Sequence, residues 1–193
     1  MTADKQQTVP DDVKDFVAEV EAGARNPVGA VSKNILFFVP LIWTLFQLWY
    51  ASPLPFILNI FVLNDTEARS IHLAFAMFLS YTAYPTFKSS PREYIPIQDW
   101  FVALVAAFCA AYLFLFYEQM SARPGIPTTL DLVVGVTGLV LLLESTRRAL
   151  GPPLMVVAMV FLTYTFFGPY MPDVIAHKGA SLSKGMSHYW LST

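Results

Sequence analysis

The sequence predicts an all-α membrane protein, a bundle of about five transmembrane helices preceded by a short amphipathic helix. Three observations carry that expectation. Charged side chains are absent between Lys33 and Asp65, Arg69 and Lys88, Asp99 and Glu118, and Arg148 and Asp173. A helix needs roughly 20 mainly apolar residues to cross a hydrocarbon layer about 30 Å thick, and each of these runs approaches or exceeds that length. The chain is 55% hydrophobic and 13% charged, about half the charge of an ordinary soluble domain. Its mean hydropathy is +0.52.

The elements follow in order. Within residues 1–34, Val13, Phe16, Val17 and Val20 recur at helical spacing, with Asp12, Asp15, Glu19 and Glu21 on the other faces. That pattern reads as an amphipathic helix, which Asp11 can cap. Its acidic face suits a membrane partner better than anionic lipid. The first span is expected over about 35–50. Pro53 and Pro55 interrupt it, so residues 56–63 either extend a kinked helix or lie at the interface. Further spans are expected over about 70–87, 100–117, 129–144 and 152–170. Proline and glycine mark the stops: Pro85, Pro91 and Pro96, then Pro124 and Pro127, then Gly151-Pro152-Pro153.

Orientation follows from basic residues near the spans. Arg25, Lys33, Lys88, Arg92, Arg147 and Arg148 fall on one side, and Arg69, Arg123, Lys178 and Lys184 on the other. The richer side is the cytoplasmic one, which puts the N-terminus inside and, after an odd number of spans, the C-terminus outside. Trp49, Tyr50, Trp100 and Tyr117 sit at span ends, where amphipathic rings favour the headgroup layer. Arg147 and Arg148 read as topology anchors. Ala106, Ala107, Ala110 and Ala111, with Gly135 and Gly138, would permit close helix contact.

Site chemistry is sparse. The span interiors hold almost no ionisable group, and such groups mark function in membranes. Asp99, Glu118, Asp131 and Glu144 fall at span ends, where hydration is the simplest expectation. Glu144 and Arg148 have the i, i+4 spacing of a helix-surface ion pair. Ser80, Thr82 and Thr137 read as interhelical hydrogen-bond donors. Catalytic, cofactor-binding and metal-ligating residues are not expected. The lone Cys109 falls mid-span and behaves as a small apolar residue. A net charge of −2 offers no basic field for nucleic acid. The competing reading is a cofactor-anchoring membrane subunit of a redox complex. It needs histidines on facing helices, but only His72 lies near a span, while His177 and His188 lie in the tail.

Several segments resemble a known family. They are Ala51-Ser52-Pro53-Leu54-Pro55-Phe56-Ile57-Leu58-Asn59, Arg69-Ser70-Ile71-His72-Leu73-Ala74-Phe75-Ala76, Pro127-Thr128-Thr129-Leu130-Asp131-Leu132 and Leu143-Glu144-Ser145-Thr146-Arg147-Arg148-Ala149-Leu150-Gly151. Phe167-Gly168-Pro169-Tyr170-Met171-Pro172-Asp173 and Ala176-His177-Lys178-Gly179 extend the set. In order and spacing this resembles the N-terminal region of fused permeases of tripartite ATP-independent periplasmic (TRAP) transporters, of the TAXI-associated type. The resemblance implies a four-helix small domain over 35–148 and a linker helix with an external tail over 149–193. It implies a bacterial or archaeal cytoplasmic membrane. Its partners would be a large permease domain, a periplasmic solute-binding protein and the bilayer. An organic acid or similar solute would be carried by the large domain, with sodium bound there, so no substrate or ion site is expected on these residues.

Overall fold

The computed structural model describes residues 23–87 and 90–191, and every regular element among them is helical. The amphipathic helix expected near residues 11–21, and Lys88, lie outside the described residues. In chain order the helices are α1 (Ala30–Ala51), α2 (Leu54–Leu58), α3 (Asp65–Ala83), α4 (Ile97–Leu115), α5 (Tyr117–Ser121), α6 (Thr129–Leu150), α7 (Pro152–Phe167) and α8 (Leu182–Tyr189). A 3-10 turn, Gly168–Tyr170, continues α7.

Four of these helices are long and apolar enough to cross a membrane: α1, α4, α6, and α7 with its 3-10 turn. The chain is therefore a multi-pass membrane bundle. α3 is as long as α4, at 19 residues, but is less apolar. It opens on Asp65 and Glu67 and buries Ser70, Ser80, Tyr81 and Thr82. The physical reason is its position. α3 packs against α1, α4 and α6, so protein rather than lipid surrounds most of it. The helix also begins earlier and ends earlier than the expected 70–87.

Local sequence sets the helix ends. Asn64 Oδ1 accepts from Glu67 N at 2.9 Å while Glu67 Oε2 accepts from Asn64 N at 3.0 Å, a capping box that starts α3. Thr128 and Asp131 form the same device at the start of α6. Gly151, at φ 83°, ends α6 where a side chain would be strained, and Pro152 and Pro153 then open α7. α6 continues beyond the expected end at Glu144, so Arg147 and Arg148 are helical. Residues 56–63 do not extend the first span. Ser52 is extended, α2 lasts five residues, and Asn59 turns left-handed at φ 52°.

The core lies between α3, α4 and α6. Met77, Tyr81, Ala103, Ala106 and Ala110 form one buried cluster, and Cys109, Tyr112, Leu113, Met120, Val134 and Leu191 form another. Ala106 and Ala110 thus supply the close α3–α4 approach that small residues permit. α1 and α7 are peripheral. Neither buries a residue, and both turn large side chains outward, including Phe37, Leu41 and Leu48 on α1 and Val160 and Phe161 on α7.

Candidate functional site

The strongest concentration of chemistry lies where the segment before α1, the end of α3, the start of α4 and the end of α6 converge. Asp99 is 3% exposed and accepts from Arg25 Nη2 through Oδ2 and from Arg148 Nη1 through Oδ1 at 3.1 Å. Thr86 Oγ1 also donates to Oδ1. Arg148 reaches Glu144 Oε1 through Nε at 2.9 Å, and Arg147 binds both Glu144 oxygens at 2.7 Å. The Arg148 guanidinium stacks over the Tyr81 ring, 4.5 Å from its centre.

Arg25 also caps a helix end. Its Nη1 donates to the carbonyls of Tyr81 and Thr82 at 3.2 Å, groups left over at the C-terminus of α3. Its own backbone N–H bonds Ala83 O at 2.7 Å. Among the described residues, three guanidinium groups thus meet two carboxylates in a largely dry setting, leaving one net positive charge. Burying ions without partners is costly, so this cluster holds four segments in one register. Hydration of Asp99 at a span end, the simple expectation from sequence, is overturned. The i, i+4 pair of Glu144 and Arg148 is present and is part of the larger network.

A smaller cluster stands at the opposite end. Asp131 is 1% exposed and accepts from Tyr112 Oη at 2.7 Å, from Thr128 N at 2.7 Å, and from Arg123 at 3.1 Å. It too is buried rather than hydrated. One carboxylate therefore caps its own helix, ties α6 to α4, and holds the loop after α5.

The tail returns to the bundle. Met186 and Leu191 are buried, and Trp190 Nε1 donates to Cys109 O at 3.2 Å. Its indole lies against Gly138, where an added Cβ would sit 2.2 Å from Cζ2. Gly135 and Gly138 were expected to permit close helix contact, and the neighbour they admit is the tail: a Cβ on Gly135 would lie 3.7 Å from Met186 Cβ of α8, and Gly138 receives the Trp190 indole. Of the expected interhelical donors, Ser80 reaches Ser145 O at 3.0 Å. Thr82 bonds back to Phe78 O and Leu79 O within its own helix. Ser70, not singled out by sequence, joins α3 to Ala110 O at 2.7 Å.

No family model matches this sequence, no curated protein matches it, and no solved structure matches its fold.

The four aromatic residues expected at the interfaces differ from one another in their packing. Trp100 packs on Phe78, with ring centres 6.1 Å apart. Tyr50 is 39% exposed at the end of α1, and the Trp49 indole N–H is buried with no hydrogen-bond partner among the described residues. Tyr117 opens α5 beyond the break at Phe116. The groups that sequence reasoning missed are Arg25, Asp99, Asp131 and Trp190. Arg25 and Asp99 meet across a large sequence separation and Trp190 lies in the tail, where helical spacing carries no signal, while Asp131 shows only its local cap with Thr128 in the sequence and not its bond to Tyr112.

Proposed function

We propose that this chain is the scaffold domain of a TRAP-type secondary transporter for uptake of an organic acid or similar small solute. In this reading α1, α3, α4 and α6 make the small permease domain, and α7 is the linker helix. The protein sits in the cytoplasmic membrane of a bacterium or archaeon. The Arg25 and Arg148 end faces the cytoplasm, and α8 lies on the periplasmic side. The bundle braces a large ion-coupled transport domain that a periplasmic binding protein supplies with solute.

The observation that supports a static role is how the buried carboxylates are used. Asp99 and Asp131 are each committed to arginine and hydroxyl partners within the bundle. A group that binds and releases solute or protons must have a free oxygen to offer, and each oxygen of Asp99 and Asp131 already has a partner within the bundle. The peripheral α1 and α7 then offer apolar flanks to lipid and to the transport domain.

The test is co-purification. The tagged chain is extracted from its native host in mild detergent and its bound proteins are identified. A large multi-span permease in near-equal amount is the expected result. A redox subunit, or a chain that purifies alone, sinks the proposal.

A further inference from the structure

Between α1 and α3, at the end marked by Tyr50 and Asp65, lies an open cleft of about 620 Å³. Phe46, Tyr50 and Leu73 give it apolar walls, and three polar side chains of α3 line it: Asp65, Arg69 and His72. Spaced four and then three residues apart, they share one helix face. They step along it by about 6 Å and then about 4.5 Å. Asp65 and Arg69 pair at 2.5 Å with side chains 65% and 78% exposed. An ion pair this exposed contributes little to the fold, so both groups can turn to a ligand. His72 Nδ1 accepts from the Trp43 indole N–H at 3.1 Å. An indole nitrogen only donates, so the neutral ring carries its proton on Nε2 and offers a donor one turn below Arg69.

We propose that this cleft binds one phospholipid whose headgroup carries a primary ammonium. The ammonium lies on Asp65, the phosphate on Arg69, and an ester carbonyl accepts from His72 Nε2–H. An acyl chain runs down the apolar wall of Phe46 and Leu73. Ammonium, phosphate, ester and chain follow one another along such a lipid in the order these side chains follow along α3. Headgroup chemistry discriminates. A quaternary ammonium has no N–H to give Asp65, and a glycerol headgroup leaves that carboxylate facing a phosphate unrelieved. The assignment rests on the geometry of α1 and α3 and is independent of the transporter reading.

The full chain is purified, stripped of lipid in detergent, and offered equal amounts of phosphatidylethanolamine, phosphatidylcholine and phosphatidylglycerol. Native mass spectrometry counts what stays bound. One phosphatidylethanolamine is expected, preferred about tenfold over the choline lipid, the worth of one charge-assisted hydrogen bond. Asp65→Asn should abolish that preference and raise retention of phosphatidylglycerol. Arg69→Gln should lower retention of all three lipids about tenfold. Ala51→Trp should fill the cleft and remove the single tightly held lipid. Equal retention of the three lipids by the unaltered chain overturns the assignment, and so does an unchanged preference in Asp65→Asn.

Discussion

Asp99 holds together residues that the sequence keeps far apart, with Arg25 74 positions away and Arg148 49 away. The Arg25–Asp99 pair is almost wholly shielded, at 0% and 4% side-chain exposure. Removing one partner of a buried pair costs about 3–5 kcal/mol, mostly because the other charge is stranded. The two partners are not equivalent here. Asp99→Asn leaves three arginines against Glu144 alone, whereas Arg25→Met brings the cluster to neutrality. Asp99→Asn should therefore lower the thermal midpoint in detergent more than Arg25→Met does, and equal losses would refute the charge argument. Tyr112→Phe is a milder test at the other end. It deletes the hydroxyl that donates to Asp131, a hydrogen bond to a charged group worth about 1.5–3 kcal/mol. Only part of this was legible in the sequence. Glu144 and Arg148 share a helix face and declare their pairing by spacing, while Arg25 and Asp99 meet only through tertiary packing.

At the level of elements, the charge-free runs announced α1, α3, α4 and α7, because lipid leaves little room for charge, while α6 was expected from the shorter uncharged stretch between Asp131 and Glu144. The capping residues set the starts of α3 and α6 and moved the start of α3 ahead of its apolar run. Hydropathy understates α3 because its neighbours are protein. The return of the tail was hidden for a different reason, since a glycine pair on a membrane helix reads equally well as a contact for another helix. Gly138 and Gly135 separate the two possibilities. A Cβ at Gly138 would strike the Trp190 indole, whereas at Gly135 the nearest atoms lie 3.6 Å away, an ordinary contact. Gly138→Ala should expel the indole, at a cost of about 1–3 kcal/mol for overpacking, and raise hydrogen exchange across α8. Gly135→Ala should be neutral or slightly stabilising, as alanine is the better helix former. Matching exchange in the two variants would show that Trp190 does not seat on α6.

For the whole molecule, the decisive question is which end faces the cytoplasm. The fold gathers Arg25, Arg147 and Arg148 at one end, with Arg69 and Arg123 at the other. Two of the first group are neutralised in the folded bundle by Asp99 and Glu144. That does not weaken their effect on insertion, because lysine and arginine set topology while acidic residues contribute little. The rule acts on the chain as it enters the membrane, before Asp99 and Arg25 have met. On the orientation expected from sequence, Arg25 and Arg148 would act as topology signals first and as structural ions afterwards. A cysteine scan tests this directly. Cys109→Ala removes the native thiol while keeping the backbone carbonyl that Trp190 uses. In that background, Glu93→Cys lies in the exposed loop before α4 and Ser121→Cys in the exposed end of α5. A membrane-impermeant maleimide applied to intact cells should label Ser121→Cys and leave Glu93→Cys unmodified until the membrane is opened. The reverse pattern would invert the bundle, place α8 and Asp131 in the cytoplasm, and remove a periplasmic binding protein as a partner on that face.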